Sequence, residues 1–197
     1  MIIRVAKILL VCLIALSAAA QAQEPPVPAP DYSPRIWKEF RSNDGWFLVR
    51  FPGIPKEGTE MKPGNVVLHS LTYGVANFIF YSVTYRDLAN ENAAKDYLKT
   101  VSSTRLQGMG DRLKLVSEKE TTRDGYPALL LEFDLQPNRR LRELNVVRGA
   151  RHYNLLVISY SDHQGAVGAD NAYAEIATTF LDSFHLIEPA IPKLGVN

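Results

Sequence analysis

The sequence predicts an α+β protein, with a largely antiparallel, twisted sheet of about six to seven strands and two main amphipathic helices. Strand-like stretches follow one another through short turns such as Asp124-Gly125 and Gly149-Ala150, which is typical of antiparallel hairpins. Two other segments repeat apolar residues every three or four positions, as helices with one buried face do. Because 46% of the 197 residues are apolar, the chain can bury a sizeable core.

The first 22 residues have the features of a secretory signal peptide. Arg4 and Lys7 form a basic region before an apolar run, Ile8–Leu16, and Ala20-Gln21-Ala22 matches an A-x-A cleavage site. The alternative is an uncleaved membrane anchor, which is disfavoured because the run is shorter than the ~20 residues that span a bilayer. We therefore expect Sec-type secretion, with the periplasm as the location.

The rest of the chain is expected to form one domain. Residues 23–34 are rich in proline, which predicts an extended tether after the leader. One α+β domain is then predicted over residues 35–188, because no internal repeat or change of composition divides it. Residues 189–197 are predicted to form an extended tail.

The composition after cleavage excludes several kinds of partner. The full chain has 22 basic and 21 acidic residues, so removal of Arg4 and Lys7 leaves 20 against 21, a formal net charge of −1. A near-neutral chain lacks the broad positive field of a nucleic-acid-binding protein. The single cysteine, Cys12, falls inside the leader, so the secreted chain can form no disulfide. No second segment is long enough to span a membrane.

Alternation and turn residues predict the strands, and a period of three to four predicts the helices. Strands are predicted over residues 46–51, 66–73, 78–85, 113–121, 126–135, 141–148 and 151–161. Helical spacing predicts a short turn within residues 32–41 and amphipathic helices over residues 91–106 and 169–184. Residues 151–161 are apolar at both parities, which indicates a central strand covered on both faces, whereas residues 141–148 are expected to be a charged flank.

Three local patterns carry a resemblance to a known superfamily. They are the strand that runs into Phe51-Pro52-Gly53-Ile54-Pro55, the turn and strand Gly149-Ala150-Arg151-His152-Tyr153, and Phe180-Leu181-Asp182-Ser183-Phe184 at the end of the last helix. Between about Trp37 and Ile187 the order of elements resembles the Mog1/PsbP-like superfamily, which includes uncharacterised secreted bacterial members. The resemblance implies an α/β/α sandwich and an accessory or interaction role, with no shared catalytic set.

The residues themselves show no catalytic or metal-binding pattern. His69, His152, His163 and His185 are scattered, without the spacing of zinc ligands. Asp162-His163 lacks a G-x-S-x-G nucleophile elbow, and Gly108-Met109-Gly110 follows a helix, as a helix stop does. We therefore expect no cofactor, no metal and no enzymatic activity.

Five arginines cluster around the last predicted hairpin: Arg139, Arg140, Arg142, Arg148 and Arg151. If residues 141–148 form an edge strand, several of them could bind an anion or an acidic partner. The alternative is a charged edge that only discourages pairing between sheets.

The function predicted from these observations is a secreted, non-enzymatic accessory module that binds a protein partner. A carrier of a small apolar ligand, held between the sheet and the 91–106 helix, is the alternative, and the aromatic residues of 78–85 could line its pocket. A weaker third option is an enzyme whose site is assembled only in the fold.

Overall fold

The largest element of the structure is a seven-stranded antiparallel sheet. The computed structural model describes residues 36–75, 79–136, 139–160 and 169–189, without the side chains of residues 160 and 169–172. The strands of this sheet are β3 (Lys56–Lys62), β4 (Val66–Val75), β5 (Ile79–Asp87), β6 (Leu113–Arg123), β7 (Tyr126–Leu135), β8 (Arg139–Arg148) and β9 (Arg151–Tyr160). They are arranged in the order β3-β4-β5-β9-β8-β7-β6, so β9 lies at the centre, as its apolar content predicts.

A small second sheet packs against the first. It contains β1 (Lys38–Ser42), β2 (Phe47–Phe51) and the two-residue β10 (His185–Leu186), with β2 in the middle. The alternate residues Phe47, Val49 and Phe51 of β2 are fully buried, which fixes the face that this sheet turns to the core.

Two α-helices complete the fold over the described residues. Helix α1 (Glu91–Met109) begins where the Asn90 side chain accepts a hydrogen bond from the amide of Ala93, and Gly110 follows it with φ of 56°. Helix α2 (Ala169–Asp182) buries Tyr173, Ala177, Phe180 and Leu181. The coarse prediction of an α+β fold with a mostly antiparallel sheet and two helices is confirmed.

The core consists of two apolar clusters, one on each face of the large sheet, formed by alternate residues of the same strands. Tyr153, Leu155 and Val157 of β9 pack with β2 and α2 on one face of the large sheet. On the other face, Leu156 of β9 packs with Val101 of α1 and with a row of β7 side chains, Leu129, Leu131, Phe133 and Leu135. Burial on both faces explains why β9 lacks the polar alternation of a half-exposed strand.

Two tight turns have the backbone that the sequence predicts. Asp124 and Gly125 both have positive φ, 50° and 84°, as a type I′ turn requires. Gly149 has φ of 58° and joins β8 to β9. The predicted hairpins at these turns are confirmed by the antiparallel pairing of β6 with β7 and of β8 with β9.

Three predictions about local structure are wrong or incomplete. The predicted helical turn at residues 32–41 is instead strand β1 from Lys38, paired with β2 in the register Phe40↔Val49. Strand pairing overrides the weak helical spacing of three apolar residues. Residues 56–62 form the exposed edge strand β3 and residues 185–186 form β10, and neither carries an apolar alternation that could be read in the sequence.

The prediction that residues 141–148 form a charged flank is also wrong. Strand β8 pairs with β7 on one side and with β9 on the other, and most of its residues are buried. The leader, the tether, the turn at residues 76–78, His163 and residues 190–197 lie outside the described residues.

Candidate functional site

A cleft of about 400 Å³ lies where β4, β5 and β9 meet the turn between β3 and β4. It is open to solvent, and Asp87 at the end of β5 is one of its exposed lining residues. The lining residues are Gly64, Asn65, Val66, Val67, His69, Tyr85, Arg86, Asp87, Leu88, Ala89 and Arg151. Arg151 is therefore a member of the predicted arginine group that lines this cleft.

Arg151 joins three separate parts of the chain at this cleft. Its Nε and Nη2 donate to the two carboxylate oxygens of Asp87, at 2.6 and 2.8 Å, and its Nη1 donates to the backbone oxygen of Asp44 at 2.6 Å. The guanidinium lies 4.0 Å from the ring centroid of Trp46. A bidentate pair with a stacked ring holds the guanidinium in a fixed orientation.

Trp46 has a backbone conformation that is rare for a bulky residue. Its φ is 58°, in the left-handed region that costs on the order of 1–3 kcal/mol outside glycine. Its backbone oxygen accepts a hydrogen bond from the amide of Ile187 at 2.8 Å, and its ring stacks on Arg151. These contacts fix the turn between β1 and β2 against Arg151 and the segment after β10.

The floor of the cleft is formed by two stacked rings. The imidazole of His69 lies parallel to the ring of Tyr85, with centroids 4.6 Å apart and 9° between the planes. Beside them, the hydrogen bonds from Arg151 lower the pKa of Asp87 below its ordinary value. The cleft therefore presents an ionised carboxylate, an imidazole and aromatic surface within one small volume.

A second polar cluster lies between the large sheet and α1. Glu143 is fully buried, and Arg105 of α1 donates to both of its oxygens, at 2.9 and 3.1 Å. The side-chain amides of Asn145 and Asn154 also donate to Glu143, at 3.0 and 2.5 Å. A buried charge needs such compensation, so this cluster fixes where α1 sits on the sheet.

His152 completes this polar cluster. Its Nε2 lies 2.9 Å from Oδ1 of Asn145, and the ring of Tyr97 from α1 contacts the imidazole edge-on. Burial, together with the nearby charges of Arg86 and Arg105, lowers the pKa of His152 to about 3. The imidazole is therefore neutral at physiological pH, which fits a structural role better than proton transfer.

The structure separates the five predicted arginines along β8 and into β9. Arg142 pairs with Glu132 at 3.4 Å, Arg140 lies 4.0 Å from Asp134, and Arg139 is half-buried at the start of β8. At the opposite end, Arg148 donates to Glu188 at 2.8 Å and to the backbone oxygen of Ile187. Since Arg139 and Arg148 are nine positions apart on β8, or about 30 Å, the five side chains do not form one surface patch.

The polar cluster under α1 was missed in the sequence, although a signal for it exists. Glu143 and Asn145 share one parity of β8, and His152 and Asn154 share the facing parity of β9 across a predicted hairpin. Polar residues that alternate with apolar ones on two paired, otherwise apolar strands indicate a buried network.

The described residues hold no group of three His, Cys, Asp or Glu side chains that could bind a metal ion. Among the same residues, no helix is both long and apolar enough to cross a membrane.

The fold is of the PsbP-like class. The solution structure of cyanobacterial PsbP (CyanoP) from Synechocystis sp. PCC 6803 aligns with a TM-score of 0.50 and 14% identity, over 82% of this chain and 99% of that chain. A protein of unknown function from Pseudomonas aeruginosa aligns with a TM-score of 0.40 and 13% identity, over 73% of this chain and 95% of that chain. No protein-family model matches the chain, and no curated protein matches it either. The predicted resemblance is thus confirmed at the level of the fold.

Proposed function

We propose that this chain is a secreted, periplasmic, non-enzymatic accessory module that binds a protein partner through the cleft at Arg151. In this proposal residues 1–22 are the cleaved leader, residues 35–188 form one α/β/α sandwich domain, and the tether gives the domain reach. The observation that carries the proposal is the preorganised stack of Trp46, Arg151 and Tyr85 beside an open cleft.

The chemistry of this stack favours a protein partner. Tryptophan, tyrosine and arginine are the residue types enriched at the energetic centres of protein interfaces. Their side chains are already fixed by Asp87 and by the strained turn at Trp46, so binding would immobilise few further groups. An open cleft suits one inserted side chain of a partner whose remaining surface covers the rim.

The carrier hypothesis has less support in the described residues. The space between the sheet and α1 is filled by Val101, Leu131, Phe133 and the polar cluster of Glu143. A carrier site for an apolar ligand normally encloses most of the ligand surface. The open groove at the edge of α1 does not enclose a ligand in this way.

The test is affinity capture from the native periplasm with the protein as bait, followed by mass spectrometry. Wild type is compared with His69→Ala, which removes half of the cleft floor but leaves the Arg151 contacts intact. His185→Ala is the matched control, because His185 does not line the cleft. We expect a partner that wild type and His185→Ala retain and His69→Ala loses. Capture that is equal for all three proteins would refute the role of the cleft.

A further inference from the structure

The second groove of the molecule lies between α1 and the edge strand β6, away from the Arg151 cleft. It has a volume of about 370 Å³. The α1 wall contains Lys95, Leu98 and Lys99, the β6 wall contains Glu118 and Glu120, and β7 contributes Leu129. One groove thus combines an apolar floor with charged walls of opposite sign.

Strand β6 is an edge of the large sheet and pairs with β7 alone in the described part of the chain. Its register shifts between Leu115 and Ser117, which leaves Val116 half exposed at an irregularity. Beyond it, Ser117–Arg123 runs regularly over seven residues, or about 20 Å. The outer backbone groups of this segment are positioned to pair with an added strand.

The register places two carboxylates on the α1 side of this edge. Glu118 lies opposite Leu131 and Glu120 opposite Leu129, and both leucines belong to the cluster under α1. Within the described chain, neither glutamate forms an ion pair or a hydrogen bond. The lysines across the groove are already paired on their own helix, Lys95 with Glu91 and Lys99 with Asp96.

We propose that β6 and this groove bind an extended, basic segment of a partner protein, added as a strand along Ser117–Arg123. Alternate Lys or Arg side chains of that segment would point to the α1 side of the sheet, directly beside β6. Their charged ends would then reach Glu118 and Glu120. The same two carboxylates disfavour an acidic segment, because the lysines on the opposite wall are already paired with Glu91 and Asp96.

The test uses two synthetic heptapeptides, one alternating Lys and Val and one alternating Glu and Val, titrated into ¹⁵N-labelled full-length protein. We expect the Lys–Val peptide to shift the amide signals of Ser117–Arg123 and Leu98, and to bind at least tenfold tighter than the Glu–Val peptide. Glu118→Gln/Glu120→Gln should weaken the Lys–Val peptide at least fivefold. Glu57→Gln/Glu60→Gln is the matched control on the other edge strand, β3, and should bind like wild type.

Three outcomes would overturn the proposal. They are equal binding of the two peptides, shifts that map to β3 or to the Arg151 cleft, and an unchanged affinity in Glu118→Gln/Glu120→Gln. A fourth outcome comes from sedimentation at several protein concentrations. If wild type self-associates and Glu118→Gln/Glu120→Gln does not, the edge binds a second copy of this chain instead of a partner protein. No variant in this test changes the Arg151 cleft, so a failure here leaves the proposed function standing.

Discussion

Removing the positive charge of Arg105 should destabilise the protein far more than removing the negative charge of Glu143. Glu143 is fully buried, whereas a third of the Arg105 side chain is exposed to solvent. Arg105→Met leaves a buried carboxylate with only two amide donors, and breaking a buried pair in this way costs about 3–5 kcal/mol. For Arg105→Met we expect the free energy of unfolding to fall by about 3 kcal/mol, at the lower end of this range, because the two amide donors remain.

The reverse substitution leaves a charge that water can reach. In Glu143→Gln the guanidinium of Arg105 can turn toward solvent, so we expect a loss of about 1–2 kcal/mol from the missing charge-assisted hydrogen bonds. The double variant should be less destabilised than the sum of the two single variants, with a coupling of about 2 kcal/mol.

The assay is urea unfolding at pH 7, followed by the fluorescence of Trp37 and Trp46. Arg112→Met is the matched control, because Arg112 is exposed and its loss should change the free energy of unfolding by less than about 0.5 kcal/mol. The reasoning is refuted if Arg105→Met costs under about 1 kcal/mol, or no more than Glu143→Gln.

Three further predictions follow from buried groups and from the leader. Because the pKa of His152 is about 3 in the fold and 6.5 when unfolded, the unfolded state takes up a proton first as pH falls. The stability of wild type should therefore drop by about 1.4 kcal/mol per pH unit more than that of His152→Gln between about pH 6 and 4, in parallel urea titrations. Tyr153→Phe should leave stability nearly unchanged, since the buried hydroxyl has no hydrogen-bond partner within 3.5 Å in the described chain and interacts with the Arg151 guanidinium only at longer range. Tyr173→Phe should lower the free energy of unfolding by about 1 kcal/mol, because the Tyr173 hydroxyl lies 3.2 Å from two backbone oxygens. Equal thermal unfolding of Tyr153→Phe and Tyr173→Phe would contradict the expected difference between the two variants. Intact-mass analysis of periplasmic protein should find Gln23 as the first residue, and a retained leader would show that residues 1–22 are an anchor.

Local patterns determined most of the elements of this fold. The strands with clear alternation, the helix at 91–106 and the turns at Asp124-Gly125 and Gly149 were predictable because their signals depend only on neighbours in the chain. The exposed edge strand β3 has no apolar alternation, because neither of its faces is buried. Its identity as a strand comes from pairing with β4.

The sites depended on contacts between distant residues. The Asp87–Arg151 pair spans 64 positions, and Trp46 contributes from a turn that precedes both. The charged residues of β8 predict an exposed flank, yet Glu143 is buried, and a glutamate is seldom buried without a partner. Arg105, which lies 38 positions away in α1, is that partner.

By itself, the sequence determined an antiparallel α+β fold with β9 at its centre, because burial on both faces leaves a strand apolar at both parities. Only the tertiary structure decided which polar residues are buried and which line a cleft. A charged side chain is buried only where an oppositely charged or hydrogen-bonding partner lies beside it, and the folding of the chain determines which residue that partner is.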